Sequence, residues 1–431
     1  MKRCRLLTGL VIVLLVAQVA AATETRRWVV DTAEELLEGR GSDVQVTADG
    51  TVQRVAGWAA GPDFEEAVVM AAVRGGDGSL IVGTGFPARL YRVRGDRAEL
   101  LADVGAEQVT ALLGTGDGDV LVATVAPGRL CRWRDGSLNE IAQLAEGGIW
   151  DLALFGGEVV AAGGPPASIF KVTERGLVRW VELPDVHARC LEPKGDRLLV
   201  GTSGKGLILA VDRAGRLGVL ADSPFTEIAD LAVGGDAVWA AALVGEPVSA
   251  ARQPKKENND AEGGEVEAEV TVSADLKLPE VNGKTATSEV LKLTADGGLL
   301  SVHRFVREVA STVAWDGEGL LVGTGFEGEV WRFVDGGGAR IATVDAVQVV
   351  SVVDGGAALL TQGPGGVLWR RATADRSGRF RSNARQFKQP VRFGEYRVEP
   401  ASDLLRIRFR SGISAKPDTT WLPWTLSLIH I

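Results

Sequence analysis

One unit recurs seven times along this chain: an apolar strand, a Gly-rich turn, and a second strand that reads aliphatic, bulky, often basic, apolar. The first strands start at Leu80, Val120, Val159, Leu198, Val238, Leu320 and Ala358. Six partner strands follow ten residues later, at Leu90, Leu130, Ile169, Ile208, Val330 and Leu368. The clearest copies run Leu80–Val93 and Leu320–Phe333, where apolar residues alternate with polar or small ones at the period of a β-strand. The long interval between Val238 and Leu320 returns to the common period of about 40 residues when the fifth partner strand is placed at Val290.

Each hairpin is flanked by further strands. Apolar runs at Val109–Leu113, Ile149–Leu154 and Ile228–Val233 precede it, and runs such as Leu138–Leu144 follow it. Four short strands in about 40 residues is the pattern of a β-propeller blade. Helical repeats of similar length are excluded because no window of ~11 residues inside a unit lacks Gly while carrying a 3.6-residue apolar period. The sequence therefore predicts an all-β chain with a seven-bladed β-propeller over residues 44–375. Asp49–Ala56 matches Asp135–Ala142 in character, so Thr51–Ala56 is expected to close the ring as the outer strand of the last blade, paired with Val367–Arg371. Val44–Thr47 would add one more edge strand, which leaves the count open between seven blades and seven and a half.

The ends and one interior stretch fall outside the repeat. Lys2, Arg3 and Arg5 lead into an apolar run, Leu6–Ala17, and then Ala20, Ala21 and Ala22. That is the layout of a signal peptide over 1–22, giving a secreted or periplasmic chain; the competing reading, a membrane anchor, needs a run of ~20 apolar residues. Residues 23–43 form a lead-in. Residues 251–289, rich in Lys, Glu and Asp, read as a disordered insertion in blade 5. The last six residues, 426–431, match the translation of a DNA-sequencing adapter and are expected to be a scar; a natural apolar tail is the alternative.

Two resemblances follow from these residues. The repeat resembles the seven-bladed propellers of the broad WD-repeat-like class, without the Trp-Asp dipeptide at the blade ends. The segment Arg410-Ser411-Gly412-Ile413 to Trp421-Leu422-Pro423-Trp424 is similar to a motif of secreted bacterial propeller proteins in which a β-sandwich follows the ring. That motif has Asn and Ser where this chain has Ile413 and Leu422. The resemblance implies a truncated sandwich over 376–425, with strands Arg379–Phe387, Val391–Val398 and Leu404–Arg410.

Charge and composition narrow the chemistry. A net charge of −9 gives no footing for a nucleic-acid backbone, and 3 His and 3 Cys leave few ligands or bases. The Gly-Thr-Gly turns at Gly83–Gly85 and Gly323–Gly325 lead into strands, not helices, so they are read as backbone turns with positive φ and not as phosphate cradles. Acids in the loops entering the inner strands, Glu107, Glu146, Asp185, Glu227, Glu308 and Asp345, either ring the channel mouth for Ca²⁺ or a cationic partner, or are solvated loop residues.

The candidate binding residues are Phe86, Arg89, Trp150, His187, Arg189, Phe225, Phe326 and Glu327, all placed on the propeller's top face. No catalytic residue and no metal ligand is assigned. Two functions stay open at this stage: an extracytoplasmic recognition or scaffold protein that binds a protein or glycan partner, or a metal-assisted propeller hydrolase or lyase acting on a sugar or lactone.

Overall fold

The computed structural model describes residues 29–64, 68–116, 118–244, 279–281, 283–334, 337–362, 366–374, 377–387, 397, 405–414 and 417–425. The expected signal peptide, residues 251–278 of the insertion and the tail 426–431 lie outside them. Seven four-stranded antiparallel units follow one another. Their innermost strands are Val68–Arg74, Gln108–Gly114, Gly148–Phe155, His187–Lys194, Glu227–Gly234, Val309–Trp315 and Gln348–Val353. Each packs against the next, and Gln348–Val353 packs against Val68–Arg74, so the ring closes. The chain is an all-β propeller. Among the described residues the one α-helix is the single turn Ala33–Leu37, and no helix is long and apolar enough to cross a membrane.

Burial explains the repeat. The second strand of each blade lies between the faces of its neighbours; Leu80–Gly85 and Leu320–Gly325 are buried at every position. Such strands read as unbroken apolar or small-residue runs, because neither face meets water. Outer strands such as Arg97–Asp103 are largely exposed and carry mixed charge. One apolar cluster fills each gap between blades. Between blades 7 and 1, for example, Leu80, Val82 and Val93 meet Ala358, Leu360 and Val367.

The Gly-Thr signature has a different cause from the one its turns suggested. Gly83 and Gly323 sit inside strands, outside the left-handed region. They are small because the next blade presses on them: a Cβ on Gly323 would lie 2.6 Å from Cγ1 of Val349. Positive φ falls instead on Phe86 and Phe326, one residue after each motif. The threonines lock the turns. Thr84 Oγ1 accepts the N–H of Arg89 at 3.1 Å and donates to Pro87 O at 2.9 Å, and Thr124, Thr202, Thr324 and Thr361 accept the N–H five residues ahead in the same way.

Closure comes from the N-terminal segment, shifted from the expected strand. Trp58–Ala60, not Thr51–Ala56, pairs with Val367–Arg370, matching Ala60 to Leu368 and Trp58 to Arg370. Val52–Arg54 turns back on Val44–Val46 through Gly50, which has a positive φ, and Val44–Val46 joins the outer strand of blade 6 through Val46 and Arg340. This hairpin, with Val44 and Val46 buried and Val52–Arg54 exposed, thus forms an extra edge on blade 6, while the strand able to place Trp58 against the blade 6–7 core completes blade 7.

In blade 5 the partner strand is Ser288–Leu293, paired with Ala237–Leu243. The end of the insertion is therefore ordered: Glu280–Val281 pairs with Lys284–Thr285, and Ala286 is buried against the blade 4–5 core. The C-terminal segment returns to the lead-in, Arg379–Arg381 pairing with Arg40–Ser42. The expected strand Val391–Val398 lies almost wholly outside the described residues. Over residues 405–425 the described pairing is one bridge, Phe409 to Thr425, and Arg410 stacks on Trp421 and Trp424.

Candidate functional site at the channel mouth

Each innermost strand skips register once near its start, leaving one residue without a partner on the second strand. These residues are Met70, Thr110, Trp150, Arg189, Ala229, Ser311 and Val350. All seven are half-buried, whereas the residue before each is buried. A β-bulge re-aims a side chain while the ladder resumes beyond it. Seven equivalent bulges therefore place seven side chains around the inner wall of the ring, close to its top.

Five of the seven are uncharged and non-aromatic: Met70, Thr110, Ala229, Ser311 and Val350. Trp150 and Arg189, on adjacent blades, break the pattern. The guanidinium carbon of Arg189 lies 4.8 Å from the Trp150 ring centre. Its Nε donates to Glu227 Oε1 at 3.0 Å, and the other carboxylate oxygen of Glu227 accepts the Ser203 hydroxyl at 3.0 Å. His187 packs edge-on against Trp150, 5.5 Å between ring centres. Burial lowers the His187 pKa below its ordinary value. Trp150 Nε1 and His187 Nδ1 are buried and have no hydrogen-bond partner among the described residues.

Trp150, His187 and Arg189 thus meet, and the loop acid Glu227 completes their cluster. Phe225 does not join them. It is 1% exposed, packed in the core between blades 4 and 5 with its N–H on Ser223 Oγ, and so is unable to touch a partner.

Phe86 and Phe326 project from hairpin turns of blades 1 and 6, 61% and 65% exposed. Both hold positive φ, +54° and +72°, where bulky side chains are rare outliers. Arg89 lies 3.9 Å from the Asp103 carboxylate on the same blade. Glu327 is ion-paired with Arg40 and clips the lead-in to blade 6.

The loop acids are dispersed in role. Asp185 accepts the Thr202 hydroxyl and the N–H groups of Val186 and Lys205, and Glu227 belongs to Arg189. Among the described residues, no three His, Cys, Asp or Glu side chains converge in an arrangement suited to a metal ion.

A second set of acids escaped the sequence reading. Asp151 and Asp230 directly follow the bulge positions of blades 3 and 5. Asp151 accepts the N–H of Leu152 at 2.7 Å and of Leu191 at 2.8 Å; Asp230 accepts the N–H of Leu231 and Val313, both at 2.9 Å, and the Thr312 hydroxyl at 2.8 Å. Both oxygens of each carboxylate accept backbone N–H groups, one from the next blade, so these acids brace one blade to the next. Burial raises Asp151 and Glu192 to about 7 and Asp230 to about 6. Their signal was present as an Asp inside an apolar strand run, Ile149–Leu154 and Ile228–Val233, where a polar residue on a two-sided buried strand demands a partner.

The chain is a β-propeller, and solved structures share that fold. Virginiamycin B lyase from Staphylococcus aureus matches with a TM-score of 0.52 at 12% identity, covering 74% of this chain and 96% of that one. The extracellular domain of the putative one component system BT4673 from B. thetaiotaomicron matches at 0.52 and 12%, covering 73% of this chain and 40% of that one. YCF48 bound to D1 peptide matches at 0.50 and 13%, covering 74% and 96%. At these identities the likeness is one of fold. No protein-family model and no curated protein matches the chain.

Proposed function

We propose that this protein is an extracytoplasmic recognition module: a seven-bladed propeller, followed by a β-sandwich, that binds a protein or glycan partner through the top face of the ring. The observation that carries this reading is the pair Phe86 and Phe326. Each exposes a large apolar ring from a backbone conformation that Gly would occupy without strain, and Gly204 holds the matching turn of blade 4. Ala126 holds the same position in blade 2 at φ +52°, so the turn itself imposes the conformation, at ~1–3 kcal/mol for a non-Gly residue, and what sets Phe86 and Phe326 apart is the exposed ring. Val347, also exposed, lies in the loop entering blade 7 between them. Aromatic rings on the rim, together with an Arg–Trp stack on other blades of the same ring, are residue types that dominate interface energetics.

The extracellular domain among the similar structures and the peptide complex of another fit this reading without carrying it. The test is capture from the native secretome, followed by affinity measurement with the purified partner. Alanine at Phe86 and Phe326 is expected to weaken binding by ~1–3 kcal/mol each with the thermal transition unchanged. Full affinity in the double variant would overturn the reading.

A further inference from the structure

We propose that the channel mouth takes a carboxylate, carried by an extended peptide, on the two Nη groups of Arg189. This rests on the recognition reading above and names its ligand chemistry. Arg189 is the bulge residue of blade 4, so its side chain points inward from a fixed backbone position. Its plane is set twice over, by the Trp150 face at 4.8 Å and by the Nε bond to Glu227 at 3.0 Å. Only the outer edge of the fork is left, and among the described residues neither Nη has an acceptor. The side chain is 37% exposed, so that edge is reachable.

A guanidinium held in plane with two parallel donors open matches a carboxylate bidentately. The surroundings favour a single negative charge. Glu227 is already engaged by Arg189 and Ser203, Asp185 by backbone N–H groups and Thr202, and the Lys205 ammonium by Pro184 O. A carboxylate needs no second cation, and among the described residues the open edge of the Arg189 fork supplies both donors that it takes. The next two bulge positions, Ala229 and Ser311, carry small side chains. Phe86, Phe326 and Val347 on blades 1, 6 and 7 are exposed apolar groups, suited to side chains of an extended peptide and less to the hydroxyls of a glycan.

A random heptapeptide library with free C-termini, selected on the full chain, supplies the probe. The selected peptides are then compared as free acids, as C-terminal amides, and with Asp or Glu replaced by Asn or Gln, which separates a terminal from a side-chain carboxylate. Removing the responsible carboxylate is expected to weaken binding about tenfold or more. Arg189→Gln should do the same, and Arg189→Lys, which keeps charge and Trp150 contact but loses the fork, should weaken it about fivefold or more. If Arg189→Gln fails to fold, Arg189→Lys carries the test. Selected peptides whose affinity ignores the carboxylate and Arg189, or failure to select any peptide, would overturn the inference. Stronger competition by oligogalacturonate than by any selected peptide would overturn it too. In each case sensitivity of the secretome partner to Phe86 and Phe326 would leave the recognition reading standing.

Discussion

Asp151 in blade 3 accepts the backbone N–H of Leu191 in blade 4 at 2.8 Å. The bond joins two innermost strands that share no ladder of their own. Asp230 repeats it from blade 5 to Val313 in blade 6, and in blade 4 the equivalent residue, Cys190, reaches only a weak contact with Ile228 O at 3.7 Å. Replacing Asp151 with Ala should orphan two buried donors, of Leu152 and Leu191, and cost ~2–4 kcal/mol in urea unfolding. Cys190→Ala should cost less.

These carboxyls also set a pH dependence. Burial raises Asp151 and Glu192 to about 7 and Asp230 to about 6, so the folded chain binds protons more tightly than the unfolded chain does. Their stabilising contribution is complete below the unfolded carboxyl values and is lost as pH rises through the folded ones. The midpoint of thermal unfolding should therefore fall between pH 5 and pH 8. Combining Asp151→Asn with Asp230→Asn should flatten that slope even where it lowers stability at pH 5. A higher midpoint at pH 8 than at pH 5 would contradict the assignment.

Two glycines of one motif should behave oppositely. A Cβ on Gly323 meets Val349 at 2.6 Å, whereas one on Gly325 finds its nearest neighbour, Gln348, at 3.7 Å. Gly323→Ala is expected to destabilise by ~1–3 kcal/mol and Gly325→Ala to be close to neutral in the same denaturation series.

Phe326→Gly should relieve backbone strain at φ +72° and leave stability equal or higher, while weakening partner binding. Loss of stability on this change would show that the ring packs within the fold.

Removal of Trp58–Ala60 should expose the outer edge of blade 7 and give concentration-dependent aggregation by light scattering. A chain starting at residue 29 should stay dispersed.

The repeat was legible because burial between blades acts on every copy alike: Leu80, Leu198 and Leu320 carry the same constraint and hence the same residue. Ring closure was legible as a need, yet its strand was misplaced by several residues, because Val52–Arg54 and Trp58–Ala60 both suit an outer strand and only the packing of Trp58 decides between them. His187, Trp150 and Arg189 were grouped from their positions at strand starts. Their geometry was not readable, since the register skip that aims Trp150 and Arg189 inward leaves no mark in composition. Phe225 was misassigned for the reverse reason: an aromatic in a loop reads as exposed until its neighbours are known.

The seven register skips carry a consequence for how such a chain can change. Met70, Thr110, Trp150, Arg189, Ala229, Ser311 and Val350 have no partner on the neighbouring strand, so substituting any one of them leaves the pairing on either side intact. Met70, Ala229 and Val350 can drift alone, whereas the Thr110 and Ser311 hydroxyls bond to Ile149 O and Val349 O of the next blade and Arg189 is stacked on Trp150; together they make up a wall whose inherited scaffold stays constant. A lineage built on this ring can acquire a new ligand by point mutation, without first surviving an unstable ancestor.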